Sequence, residues 1–293
     1  MKKKIKKVLM ILVSILKWEK KIPIVSIKEP DKLLDGKVAL ITGGSGGIGM
    51  AIAKKFIDSG CSVILAGTNA KKLNDCIEKI GKQAKGIVIN MNDTSSFGDK
   101  IVEAASLFGK IDIFVNCHGV HTNRKGFNLL NVTEDDYDKV MNINLRGTYF
   151  ICQNVAKYMI QNHVKGHILI ISSQSAIEPS WSPYRLSKYG ECGLISGFAQ
   201  VLLPYDIIVN GLGPGPTATG MQDECFNGSI YTKDNPIERY TMPDEVAEYA
   251  KMLVSDLGNT VVGDTLYMSG GRGIIDKRSL VSNKNGRVKN LIK

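Results

Sequence analysis

From Lys37 onward, short runs of β-branched and aliphatic residues alternate with longer stretches in which apolar positions recur every three to four residues. The apolar runs Val38–Thr42, Val63–Ala66, Gly86–Asn90, Ile111–Asn116, His167–Ser172, Ile207–Asn210 and Thr265–Met268 have the length and composition of strands. Ile48–Asp58 and Glu245–Leu253 carry helical periodicity. The strand runs are continuously apolar, as expected when both faces of a sheet are covered, and helical crossovers between them make that sheet parallel. The pattern predicts an α/β fold: a doubly wound parallel seven-stranded sheet flanked by helices, in a single domain spanning 36–275. Residues 1–35 form a basic N-terminal extension and 276–293 a basic C-terminal tail.

Composition changes this picture only at the ends. Of the net charge of +10, residues 1–21 carry +7 and residues 277–293 carry +6, which leaves the span between them at −3. A mildly acidic body with basic ends lacks the basic folded face of a nucleic-acid-binding domain, so no nucleic-acid partner is expected. In the first segment, Lys2, Lys3, Lys4, Lys6 and Lys7 precede an apolar run from Val8 to Leu16. That run is too short to span a bilayer, which needs about 20 apolar residues. Drawn as a helix, it reads either as a basic amphipathic segment lying on an anionic membrane surface or as an extension packed on its own domain or a neighbouring subunit. The six cysteines show no CxxC spacing and the four histidines no ligand spacing. No disulfide framework and no metal site are expected, and the compartment is a reducing, cytoplasmic one.

Candidate chemistry begins where the first strand runs into Thr42-Gly43-Gly44-Ser45-Gly46-Gly47-Ile48-Gly49 and a helical pattern follows at once. Glycines let the backbone turn sharply and approach a pyrophosphate seated on the helix N-terminus, so the fold is Rossmann-type and binds a dinucleotide. The spacing TGxxxGxG resembles the single-domain branch of the short-chain dehydrogenase/reductase family, and further matches follow in family order. Asp93 matches the acid that holds the adenine amine. Asn116-Cys117-His118-Gly119 matches the family's Asn-Asn-Ala-Gly, and Asn144 the asparagine of the catalytic site. Ser173 matches the substrate-orienting serine, and Tyr184-Arg185-Leu186-Ser187-Lys188 the YxxSK signature. Pro214 and Gly215, with Thr219, match the segment that clamps the nicotinamide carboxamide.

The resemblance implies a catalytic set of Asn144, Ser173, Tyr184 and Lys188. It implies a cofactor set of Gly43, Ser45, Gly47, Ile48, Gly49, Thr68, Asn69, Asp93, Asn116, Gly119, Tyr184, Lys188, Pro214, Gly215 and Thr219. Three departures stand out. Cys117 and His118 replace Asn and Ala, making the adenosine-side loop bulkier. Ser269 stands where the family often has Asp. Ser173 lies eleven residues before Tyr184, slightly closer than is common, which leaves Ser172 and Ser175 open as the functional hydroxyl. After the second strand, Gly67-Thr68-Asn69 offers no carboxylate to repel a 2′-phosphate, and Thr68 and Asn69 can donate hydrogen bonds to one. The choice leans to NADP over NAD.

A hydride leaves an alcohol carbon only if the hydroxyl proton is removed, and a tyrosine is a poor base at neutral pH. Tyr184 and Lys188, four apart, share a helix face, so the ammonium stabilises the phenolate. In reduction the same phenol donates its proton to the carbonyl oxygen. By resemblance, Lys188 also binds the nicotinamide ribose hydroxyls, Asn144 holds a relay water, and a homo-oligomer (dimer or tetramer) forms through helices near 146–162 and 184–203. Gln174, Ser175 and Trp181, with Glu178, Ser182, His121, Asn123, Arg124 and Met221–Tyr231, are candidates for the substrate pocket. A mostly polar lining suits a sugar or polyol. The alternatives are a 3-oxoacyl thioester reductase and a non-catalytic nicotinamide-binding scaffold.

Overall fold

A computed structural model describes residues 32–122, 126–219 and 230–275. Seven strands, all parallel, form one sheet: β1 (Val38–Thr42), β2 (Ser62–Gly67), β3 (Ala84–Val88), β4 (Ile113–Asn116), β5 (His167–Ile171), β6 (Ile208–Pro214) and β7 (Thr265–Met268). Their order across the sheet is β3-β2-β1-β4-β5-β6-β7. Helices α1 (Gly47–Asp58), α2 (Ala70–Ile80), α3 (Phe97–Phe108), α4 (Glu134–Val140), α5 (Gly147–Gln161), α6 (Pro183–Leu202) and α7 (Pro243–Leu253) make the connections.

Alternation along each strand divides the core into two layers. Val38 and Leu40 of β1 face one layer with Phe97, Ile101, Ile151, Val155 and Ile195, from α3, α5 and α6. Ala39 and Ile41 face the other with Ile52, Phe56, Val246 and Ala250, from α1 and α7. Burying each large aliphatic side chain contributes roughly 1.5–3 kcal/mol.

Strands β1 and β7 match the apolar pattern residue for residue, while β3 begins two residues earlier than expected, at Ala84. This edge strand buries only Ala84 and Ile87, so its register follows its pairing with β2 (Ala84 opposite Val63) and not an apolar run. The sheet order reverses its direction of growth between β1 and β4, and the crevice beyond their carboxyl ends is where such folds take ligands. Among the described residues no helix is long and apolar enough to cross a membrane. The basic N-terminal segment 1–21 and the C-terminal tail lie outside the described residues.

Candidate active site

At the end of β1, Gly43 takes a φ of +63°, a conformation that favours glycine, and a Cβ there would lie 2.6 Å from the Cys117 carbonyl oxygen. The turn continues through Gly46, whose N–H donates to the Gly43 carbonyl at 2.9 Å. Gly46 caps α1 without a side-chain hydrogen bond, and the first turn of α1 contains no acidic residue. The leading N–H groups and the positive end of the helix dipole are therefore left for an anion, which fits a dinucleotide pyrophosphate. Ser45, Ile48 and Gly49 belong to the same turn. Thr219 comes over it from the β6 side: a Cβ on Gly47 would sit 2.7 Å from the Thr219 methyl. Pro214 ends β6, and the Gly215 N–H donates to the Met268 carbonyl at 3.0 Å, tying the segment to β7.

A polar knot joins β1 to β4. The Thr42 hydroxyl donates to Asn116 Oδ1 at 3.0 Å, and Asn116 Nδ2 donates to the Thr148 hydroxyl at 2.9 Å. Thr148 in turn donates to the Asn144 carbonyl. His118 points inward, its Nδ1 3.3 Å from the Thr42 hydroxyl and its Nε2 2.9 Å from the Ile143 carbonyl. Burial pushes this imidazole down to about 4, so it is neutral at pH 7. The bulk expected from His118 is thus spent on bracing the loop.

Between α4 and α5 the helix widens into a six-residue π-helical stretch, Met141–Arg146, a distortion often found at functional sites. It buries Asn144, whose Oδ1 accepts from the Val120 N–H at 2.8 Å. Asn144 Nδ2 donates to the Val120 carbonyl at 3.0 Å and to the Ser187 hydroxyl at 3.2 Å. Asn144 therefore pins the loop after β4 to the first turns of α6. Gly119 lies in that loop, where a Cβ would be 3.6 Å from Lys188 Nζ.

The three serine hydroxyls near the end of β5 separate by their partners. Ser172 donates to the Lys188 carbonyl at 3.2 Å and is committed to α6. Ser175 receives a 3.4 Å hydrogen bond from Gln174 Nε2. Ser173 caps the 3-10 turn Gln174–Ile177, accepting from the Ser175 N–H at 3.1 Å. Its own O–H donates to no described residue. That turn packs against α6.

Ser182, accepting from the Arg185 N–H, and Pro183 in the first helical position start α6, which sets Tyr184 and Lys188 in its first turns. Lys188 Nζ lies 5.9 Å from the centroid of the Tyr184 ring. The Lys188 ammonium is buried and donates to the Ile171 carbonyl at 3.2 Å and to both oxygens of Glu191 at 2.9 and 3.1 Å. Burial works against its charge, but the Glu191 carboxylate and then Tyr184 outweigh it and hold the ammonium above its ordinary value. The His121 ring also lies against Tyr184, ring centroids 4.8 Å apart.

On the adenosine side, Asn69 is the N-cap of α2, its side-chain oxygen accepting from the Lys72 N–H at 3.0 Å. Only its amide NH2 is left for a ligand, beside the exposed Thr68. Asp93 is exposed and accepts from the Ser95 hydroxyl at 2.6 Å; Ser95 and Ser96 hold its carboxyl below the usual range.

The pocket candidates divide. Trp181 is 41% exposed and stacks on Phe127 and on the Arg185 guanidinium. Glu178 is bound by Arg185 at 2.8 Å and Arg272 at 2.7 Å, joining α6 to the turn after β7, so it serves as a strut. Asn123, Arg124 and Met221–Gly228 lie outside the described residues, as does Ser229. Sequence reasoning passed over Glu191, although an acid three residues after Lys188 on the same face of a largely apolar helix was a visible signal.

The family model for short chain dehydrogenase matches residues 37–229. The 3-oxoacyl-[acyl-carrier-protein] reductase FabG of Aquifex aeolicus is 32% identical over 247 residues, covering 81% of this chain and 98% of that protein. The L-rhamnose 1-dehydrogenase (NADP(+)) of Thermoplasma acidophilum is 31% identical over 249 residues, covering 80% of this chain and 96% of that protein. Among solved structures, a 3-ketoacyl-(acyl-carrier-protein) reductase from Brucella melitensis complexed with NADH superposes with a TM-score of 0.74 at 28% identity, covering 82% of this chain and all of that one.

Proposed function

The chain belongs to the short-chain dehydrogenase family, and from that premise we propose that Tyr184 is the proton-exchanging group of this NAD(P)-dependent alcohol–carbonyl oxidoreductase. The observation that carries the reading is the burial of a charged Lys188 5.9 Å from the Tyr184 ring. The Tyr184 phenol, with the Lys188 ammonium beside it, exchanges the proton with an alcohol in oxidation and returns it to a carbonyl oxygen in reduction. Ser173, with its O–H uncommitted, orients the reacting oxygen, and Asn144 fixes the loop beside Lys188. A bound nicotinamide supplies the hydride acceptor or donor. Lys188 holds its ribose, the turn from Gly43 to Gly49 its pyrophosphate, Asp93 its adenine, and Pro214, Gly215 and Thr219 its carboxamide.

NADP is the preferred cofactor, supported by the absence of an acid at Gly67, Thr68 and Asn69. Gly67→Asp provides the test. A Cβ at Gly67 would have Leu73 Cδ2 and the Ser45 hydroxyl as its nearest neighbours, both at 3.6 Å, an ordinary van der Waals contact. The variant is expected to shift the ratio of kcat/KM for NAD over NADP upward by at least about tenfold, as a ribose hydroxyl gains an acceptor and a 2′-phosphate meets a like charge. An unchanged ratio would show that another residue reads the 2′ position.

A sugar or polyol is the proposed substrate. Gln174, buried beside Ser173, has a side-chain oxygen with no hydrogen-bond partner among the described residues, an acceptor suited to a ligand hydroxyl. The 3-oxoacyl thioester reading draws on the reductases among the relatives. A panel of sugars, polyols and 3-oxoacyl thioesters with both cofactors, followed by nicotinamide absorbance, separates them: the highest kcat/KM is expected for a polyhydroxylated compound. Fastest turnover on a thioester would replace the sugar reading, and dinucleotide binding without turnover on any compound would favour a scaffold.

The proposal extends to a homo-oligomer through α5 and α6, whose Tyr149, Leu186, Tyr189 and Val201 are exposed, and to a cytoplasmic enzyme that touches a membrane surface through residues 1–21.

A further inference from the structure

Glu191 is a fully buried carboxylate for which the proton exchange at Tyr184 has no use. Desolvating an ion pair costs several kcal/mol per ion, so a pair in such a place persists only with good geometry and satisfied hydrogen bonds. Here both conditions hold. Lys188 Nζ donates to Glu191 Oε1 at 2.9 Å, to Glu191 Oε2 at 3.1 Å and to the Ile171 carbonyl at 3.2 Å. An ammonium has three N–H donors, and these three acceptors match them one for one. The Ser172 hydroxyl, which donates to the Lys188 carbonyl at 3.2 Å, also lies beside the Glu191 carboxyl, just past the end of β5.

We propose that Glu191 is a positioning residue that holds Lys188 in competition with the cofactor: nicotinamide-ribose hydroxyls receive a Lys188 hydrogen bond only by drawing an N–H away from Glu191 or the Ile171 carbonyl. The inference rests on the reading above that the ribose lies against Lys188. Its consequence is a deliberately weakened grip on the nicotinamide half of the dinucleotide, with no effect on the adenosine half. The same pairing offsets the ammonium charge that reaches Tyr184, because a carboxylate now lies beside it.

The test compares dissociation constants in the full-length protein, Glu191→Gln and Glu191→Asp. One ligand is the reduced dinucleotide that the unaltered protein binds more tightly, followed by nicotinamide fluorescence. The other is ADP, which lacks the nicotinamide ribose, followed by calorimetry. Glu191→Gln is expected to bind the dinucleotide about tenfold more tightly, the worth of one charge-assisted hydrogen bond no longer contested. Glu191→Asp, still charged but withdrawn from Nζ, is expected to fall between, and ADP to bind equally in all three. Dinucleotide constants within about twofold of one another, or ADP shifting in parallel, would overturn the proposal. Should Glu191→Gln not fold, Glu191→Asp decides by the same two ligands: tighter dinucleotide with unchanged ADP supports the competition, and unchanged dinucleotide ends it. Failure of the unaltered protein to bind either dinucleotide would instead overturn the cofactor-site reading on which this one rests.

Discussion

Tyr184→Phe is expected to lower turnover by roughly 10²–10⁴-fold in both directions, the range general acid–base catalysis contributes, while leaving the dinucleotide dissociation constant nearly unchanged. The substitution deletes one oxygen and keeps the ring that lies against His121 and over Lys188, so packing should survive. The position is partly buried at the start of α6, where loss of a hydroxyl leaves no described buried group stranded. Nicotinamide absorbance reads the turnover, and fluorescence titration reads the binding. Retained turnover would show that another residue carries the proton.

Lys188→Met should do more, because it removes two things at once. It takes away the ammonium beside the phenol and leaves Glu191 enclosed without its counter-charge. Breaking a buried pair from one side costs about 3–5 kcal/mol. Burial already pushes the Glu191 carboxyl above its ordinary range with Lys188 and Ser172 opposing, and losing Lys188 lets the push prevail. The folded variant therefore keeps Glu191 protonated while the unfolded chain releases that proton at about pH 4.3. The folded state then binds more protons, so stability falls as pH rises above that value, by up to about 1.4 kcal/mol per unit until the folded group also ionises. A melting temperature that drops between pH 5 and 8 more steeply than in the unaltered protein is the expected signature. The double variant Lys188→Met/Glu191→Leu replaces the pair by apolar groups and should recover most of the melting temperature but none of the turnover. Recovery of both would mean that Lys188 serves the fold alone.

How far the sequence carried the reading depended on what each residue answers to. Strands β1 and β7 were legible because an apolar run inside a sheet is set by its own burial. The edge strand β3 was misplaced by two residues because a half-exposed strand takes its register from its neighbour. At the site, motif order pointed to Asn144, Ser173, Tyr184 and Lys188 as the proposed catalytic set. It did not separate Ser172, Ser173 and Ser175, because only three-dimensional partners reveal which hydroxyls are committed. His118 was read as bulk toward the adenosine, yet its ring turns inward to Thr42 and Ile143, a choice made by hydrogen bonds from distant elements. Glu178 lines a cavity, as its place before the tyrosine suggests, and is also a strut between two arginines that lie 87 positions apart in the chain, which spacing alone does not reveal. Glu191 was missed because a charged residue on a helix is ordinarily solvated, and its burial depends on a sheet that helical spacing alone does not describe.

On the proposed function, the Tyr184 phenol, with the Lys188 ammonium beside it, faces the reacting end of a bound nicotinamide. A crystal structure of the protein with its preferred dinucleotide and an alcohol product tests it most directly. The Tyr184 and Ser173 hydroxyls are both expected within hydrogen-bond reach, about 2.6–3.2 Å, of the alcohol oxygen, with the carbon bearing it against the nicotinamide ring. A phenol oxygen turned to bulk solvent, or remote from the nicotinamide, would contradict it.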